Sequence, residues 1–319
     1  MPRPPARTLT PAQLAWLSRR IGSGAPCPAA ERLAGGASST VLALRDAAGA
    51  SRFVLRLLDD RAWLAAEPDL VAHELAALAE AARTGLPVPE VVAAEPTGEV
   101  FGAPALLTTY LPGRVVLAPG RPERWAELLA ATLARIHAHR APGFPWRYRS
   151  WVEEGSLRVP AWTARPAAWA EAVLRARGLH DAPGTSEPRR CTFLHRDYHP
   201  LNLLFAGAGP KLRLSGVIDW VNACVGPPEA DLSHCRLNLV LTHGVAAADA
   251  FLAAYLRRAR VADRGFGYSR AWDLEAVFAM AAPDPAYHAP WADFGLPDPG
   301  AGELRRRVDE LVAGAVAEG

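Results

Sequence analysis

The chain has 319 residues, half of them apolar, enough for two packed domains on a prior of about 150 residues each. Its 35 basic and 33 acidic residues are interspersed and leave a formal charge of +2, which excludes the concentrated positive field of a nucleic-acid binder. Every apolar stretch is broken by charge or proline well short of the roughly 20 residues that a membrane helix needs, and the four cysteines form no C-x-x-C pair, so a cytoplasmic protein with reduced thiols is expected.

Periodicity first gives a short helix from Pro11, with Leu14, Leu17 and Ile21 on one face. Glu31 to Leu58 reads as strand, turn, strand, and about Glu67 to Ala82 as a helix. Pro87 and Pro89 end that pattern before the extended runs Val91-Val92 and Pro104 to Tyr110. Leu111-Pro112-Gly113 interrupts the chain again. Helices then follow at Glu123–His139, Ala167–Arg177, Asp231–Leu241, Ala246–Arg258, Arg270–Ala281 and Glu303–Ala317. The expectation is an α+β chain in two lobes, residues 1–110 small and β-rich with one main helix and 111–319 larger and mostly helical. The helical part carries one β-hairpin, Asn202–Phe205 and Leu212–Asp219, joined at Gly207 to Pro210.

The chemistry concentrates at this hairpin. His195-Arg196-Asp197-Tyr198-His199-Pro200-Leu201-Asn202 fits H-R-D-x-x-x-x-N, the loop in which Asp meets an acceptor hydroxyl and Asn coordinates Mg²⁺. Asparagine occurs only three times in the chain, so the coincidence of Asp197 and Asn202 at this spacing is informative. Phosphoryl transfer depends on in-line positioning and charge neutralisation, and a carboxylate beside a carboxamide supplies a group for each. If Asn202 opens one strand and Asp219 closes the next, antiparallel pairing places these oxygen ligands side by side for a shared metal.

These residues, together with Ile218-Asp219-Trp220 and the segment Gly226-Pro227-Pro228-Glu229-Ala230-Asp231-Leu232, resemble the aminoglycoside phosphotransferase family of small-molecule kinases across essentially the whole chain. The resemblance implies a protein-kinase-like two-lobed fold, with 1–110 as the nucleotide-binding lobe and 111–319 as the catalytic and acceptor-binding lobe. It also implies ATP or GTP as donor, Mg²⁺ on Asn202 and Asp219, and a small hydroxylated acceptor aligned by Asp197. Asp231 is expected as an N-cap or structural acceptor. No long activation loop with A-P-E separates Asp219 from this segment, which disfavours a protein substrate.

By the same resemblance, Ser38 and Ser39 in Gly35-Gly36-Ala37-Ser38-Ser39-Thr40 cover the phosphates, and Arg56 stands where a lysine usually contacts them. A guanidinium keeps that charge and offers a fork suited to phosphate oxygens. Its acidic partner is expected on the next helix, where Glu74 falls within the apolar stripe of Leu70, Val71, Leu75 and Leu78; Glu67 is the rival. The Thr109 carbonyl and the Leu111 N–H are the hinge candidates for the base.

Two other readings compete. On a strand, His195, Asp197 and His199 would share a face and could ligate Zn²⁺ or Mn²⁺ in a metal-dependent hydrolase; His234, His243 and His288 offer no matching carboxylate spacing. A non-catalytic nucleotide-binding pseudokinase would keep the fold, but the presence of Asp197, Asn202 and Asp219 argues against it. Seven of the ten tryptophans lie beyond Gly143, and acidic residues such as Glu229, Asp273 and Glu275 could face a cationic acceptor; core packing and solvation are the simpler readings. No oligomer is indicated.

Overall fold

The computed structural model describes residues 8–21, 30–34, 39–46, 49–181, 191–262, 266–282, 284–286 and 290–318. The chain divides into two compact units, Met1–Gly113 with Ser215–Val221, and Arg114–Leu214 with Asn222–Gly319. No helix among the described residues is long and apolar enough to cross a membrane.

The first unit is built on a five-stranded antiparallel sheet. Helix α1 (Pro11–Ile21) precedes strands β1 (Ala30–Arg32), β2 (Thr40–Arg45) and β3 (Ser51–Leu57). Two helices, α2 (Arg61–Ala66) and α3 (Leu70–Arg83), then lead to β4 (Val91–Glu95) and β5 (Ala105–Thr109), in the order β1-β2-β3-β5-β4. Alternation along β3 decides which side chains face the core: Leu55 and Leu57 join Trp16, Leu17, Leu42, Leu44 and Leu107 in one cluster. The side chain between them, Arg56, points to the other face of the pleat. Helix α3 buries Leu70, Val71, Glu74, Ala77, Leu78 and Ala81 at helical spacing. Leu70 and Val71 pack with Leu58 and with Val221 from the returning segment. That segment is fixed by the Val217 N–H donating to the Pro87 carbonyl (2.9 Å) and by the buried Trp220, whose indole donates to the Val217 carbonyl (3.0 Å).

In the second unit, α4 (Pro122–His137) and α5 (Pro166–Asp181) precede the short strand β6 (Thr192–Leu194). Strands β7 (Leu203–Ala206) and β8 (Arg213–Val217) form a two-stranded sheet, and β6 pairs antiparallel with β9 (Cys224–Gly226). The remaining helices are α6 (Glu229–His243), α7 (Val245–Ala262), α8 (Ala271–Met280), α9 (Pro290–Asp293) and α10 (Ala301–Ala317). Helix α6 is buried almost throughout, so its charges need partners. Arg236, fully buried, is paired with Asp273 (2.8 Å) and Asp249 (3.0 Å). Asp309 on α10 accepts from Thr163, the Ala164 N–H and the Trp169 indole, which ties down the start of α5.

Two local expectations change. Asn202 does not open a strand: it closes the 3-10 turn Pro200–Asn202, shaped by the proline and the following sharp entry into β7. Asp219 lies two residues beyond β8, with φ of +65°. The strand pairing expected to set these two residues includes neither of them. Helix α6 also begins earlier than Asp231, with Pro228 at its N-cap position, so Asp231 is not an N-cap but a residue of the first turn.

Candidate active site

The segment after β6 is held from beneath by Asp231. Its buried carboxylate accepts from the backbone N–H groups of His195 (2.9 Å) and Arg196 (2.7 Å), and His137 Nε2 lies 3.1 Å away. Burial pushes the Asp231 carboxyl up, but His137 and His195 more than offset this and hold it below its ordinary value. Arg196 turns the chain through the left-handed region (φ +69°), and its guanidinium stacks over Trp151 (3.6 Å to the ring centre) and Tyr148 (4.8 Å). Tyr198 is buried and donates to the Leu129 carbonyl (2.7 Å). With residues on both sides fixed inward, Asp197 is presented at a partly open position, its side chain 26% exposed.

Around Asp197 the polar groups converge. The Asn202 carboxamide Nδ2 donates to the Asp197 carbonyl (2.9 Å) and to Oδ2 (3.1 Å). His199 Nε2 stands 3.3 Å and His234 Nε2 2.9 Å from Oδ1. Burial would raise the Asp197 carboxyl, but His199 and then His234 outweigh it and keep the group well below the usual carboxylate range. An anion at neutral pH follows.

The triad imagined on one strand face is not the one that forms. The segment is a loop, the His195 ring is fully buried, lying 5.9 Å from Tyr198, and the histidine that joins Asp197 and His199 is His234 of α6. Its signal in the sequence is spacing: His234 follows Asp231 by three residues, so one helix face that braces the loop backbone also reaches its carboxylate.

In the first unit, Arg56 gathers three predicted residues. Its Nη1 donates to Glu74 Oε1 (2.9 Å) and to Asp219 Oδ1 (2.7 Å), and its Nε to Ser39 Oγ (3.0 Å). Burial alone would depress the guanidinium, but Asp219 and Glu74 more than offset it and raise it above its ordinary value. For Glu74, burial prevails over Arg56 and the carboxyl is raised. Ser38 lies outside the described residues. Thr109 ends β5 opposite Phe53, its N–H donating to the Glu90 carbonyl (2.9 Å), and the half-buried Leu111 follows. Arg56 pairs with Leu106, so Thr109 lies about 10 Å along β5 from that position.

A buried guanidinium bridging two carboxylates, and an aspartate held by an asparagine five residues on, define a kinase-like phosphotransferase. Residues 29–276 match the phosphotransferase enzyme family, and the chain belongs to it. Among characterised relatives, a homoserine kinase of Methylobacterium radiotolerans is 33% identical over 171 residues, 47% of this chain and 47% of that protein, so the match spans about half of either. Among solved structures, a Ralstonia eutropha protein assigned as an aminoglycoside phosphotransferase has a TM-score of 0.63 at 19% identity, covering 98% of this chain and 99% of its own. An aminoglycoside phosphotransferase of Streptomyces rimosus, in complex with ADP and streptomycin, has a TM-score of 0.55 at 18% identity over 84% and 96% of the two chains. An amicoumacin kinase in complex with AMP-PNP and Ca²⁺ reaches 0.53 at 14% identity over 96% and 90%. At these identities the structures share the fold.

Proposed function

We propose that the chain transfers the γ-phosphoryl group of ATP or GTP to a hydroxyl of a small acceptor, with Asp197 as the group that meets that hydroxyl. The observation that carries this reading is the Asp197 carboxylate, ionised and held through Oδ2 by Asn202, on a loop whose backbone is braced by Asp231. A carboxylate so far below its ordinary value is a weak base. Its main contribution is to orient the hydroxyl and accept its proton late, as charge develops on the attacking oxygen.

Asn202 and Asp219 suit a hard divalent cation, because both present oxygen and the Asn202 amide nitrogen is already committed to Asp197, leaving its carbonyl oxygen as the ligand atom. Mg²⁺ bound there would neutralise phosphate charge. Arg56 supplies the protein's own cation for the phosphates, oriented by Glu74. Ser38 and Ser39 are proposed to cover the phosphates, and the Thr109 carbonyl and Leu111 N–H to hold the base. The Streptomyces rimosus and amicoumacin proteins, with their nucleotide complexes, support a nucleotide donor. A cytoplasmic location is part of the proposal, supported by the free thiols of Cys191, Cys224 and Cys235.

The test is Asp197→Asn in a coupled nucleotide-turnover assay with a phosphorylated acceptor as the readout. Transfer should fall by about a hundredfold or more while Mg-nucleotide still raises the melting temperature. Full turnover in that variant would remove Asp197 from the mechanism.

A further inference from the structure

The contacts made by His234 do not fit a role limited to packing. The residue is 2% exposed on the fully buried helix α6, yet neither ring nitrogen has a hydrogen-bond partner among the described residues. Its Nε2 comes within 2.9 Å of Asp197 Oδ1 without the alignment of a hydrogen bond. An imidazole nitrogen this close to a carboxylate oxygen, once deprotonated, is placed to bind a common third atom with it. His199 completes the group: its Nε2 is 3.3 Å from the same oxygen, and ligand atoms of Asp197, His199 and His234 all lie within 4.8 Å of one another.

We propose that Asp197, His199 and His234 form a second metal site, selective for a borderline cation of the Zn²⁺ type, whose occupancy switches phosphoryl transfer off. Around a zinc ion with bonds of about 2.0–2.1 Å, tetrahedral ligand atoms are separated by about 3.3 Å. Two of the three edges are already at that scale, and a modest rotation of the half-buried His199 closes the third. This movement exchanges two 3.3 Å contacts, from the Leu201 N–H to His199 Nδ1 and between Asn202 Nδ2 and His199 Nε2, for the metal bond. Two imidazoles and one carboxylate favour Zn²⁺ over Mg²⁺, which prefers oxygen and keeps its waters.

Inhibition follows from which atoms are used. Asp197 Oδ2 is held by Asn202, and zinc bonded to Oδ1 would leave neither carboxylate oxygen to accept from the acceptor hydroxyl. The inhibitory part of the proposal rests on the role given to Asp197 above; the binding part does not. Calorimetric titration of Zn²⁺ into the full chain, in buffer with excess Mg²⁺, should reveal one saturable site. Affinity should fall by at least about tenfold in His234→Phe and in His199→Gln. Co²⁺ in place of Zn²⁺ should give visible bands of a four-coordinate site in the wild type and lose them in either variant, with thermal melts confirming that each variant folds. Turnover should be inhibited by Zn²⁺ and restored by a chelator, and the residual turnover of the variants should resist Zn²⁺. Equal zinc binding by wild type and both variants, or no saturable binding by the wild type, would overturn the site even if transfer were demonstrated. Zinc binding without inhibition of a working enzyme would overturn the switch.

Discussion

Replacing Arg56 with alanine removes the ion-pair partner of Glu74 Oε1, a carboxylate whose side chain is 6% exposed and whose Oε2 has no hydrogen-bond partner among the described residues. At pH 7 Glu74 must then stay buried as a lone anion or take up a proton. Protonation sets the ceiling on the penalty: from an ordinary value near 4.3, neutralising a glutamate costs about 3.7 kcal/mol at pH 7 and about 1 kcal/mol at pH 5. Broken buried ion pairs lose about 3–5 kcal/mol, so the two arguments agree near neutral pH. Asp219, a third exposed, adds little because water screens it. The sign is fixed by linkage. In the variant the folded state holds a proton that the unfolded chain has released, so stability falls as pH rises above roughly 4.3 and levels off only beyond the raised folded-state value. Because Glu74 is already raised in the wild type, the protonation figures are upper limits on the difference: urea denaturation of wild type and Arg56→Ala should show a deficit that grows with pH, from at most about 1 kcal/mol at pH 5 to at most about 3.7 kcal/mol at pH 7. The double variant Arg56→Met with Glu74→Leu should regain most of that loss. An equal deficit at both pH values would refute the reasoning, because it would mean that Glu74 carries no buried charge.

Asp197→Asn should lower kcat by about 10²–10⁴-fold with little change in nucleotide affinity, measured by steady-state kinetics and nucleotide titration. Asp231→Ala should destabilise the second unit by about 3 kcal/mol or more in denaturant melts, because two backbone N–H groups and His137 lose one buried acceptor. The contribution of Asp231 is present at neutral pH and is lost as pH falls from the ordinary carboxylate value through its lower folded-state value, so Asp231→Asn should flatten the acid side of the stability profile. Gly226→Ala places a methyl on the Tyr148 side chain and against Leu194, and should lower stability by about 1–3 kcal/mol; a neutral melt would show that β9 can shift.

Much of this fold was legible because long apolar periodicities persist in the structure. The stripe through Leu70, Val71 and Leu78 gives α3 and places Glu74 inside it, and the alternation in Phe53-Val54-Leu55-Arg56-Leu57 separates Arg56 from its core-facing neighbours. The three-residue strands β6 and β9 are too short for any period to register, and they exist because Leu194 and Cys224 pair across the chain. The loop residues Asp197 and Asn202 could be read from their spacing, since only a shared local geometry demands it. His234 could not, because its approach to Asp197 depends on where α6 lies, and helix position is decided by packing of buried side chains such as Leu232, Cys235 and Leu237. The same limit explains the error over Asn202 and Asp219: a hairpin was visible, but a proline-led turn and a left-handed residue at its ends were not.

The central claim is that this chain phosphorylates a small hydroxylated molecule through Asp197. Incubating wild type and Asp197→Asn with Mg-ATP or Mg-GTP and a panel of hydroxylated metabolites and antibiotics, then scoring products by mass spectrometry, tests it most directly. The account predicts an acceptor gaining one phosphate with the wild type alone. Phosphorylated product at equal rates from both proteins, or loss of a group from a panel member with metal and no nucleotide, would contradict it.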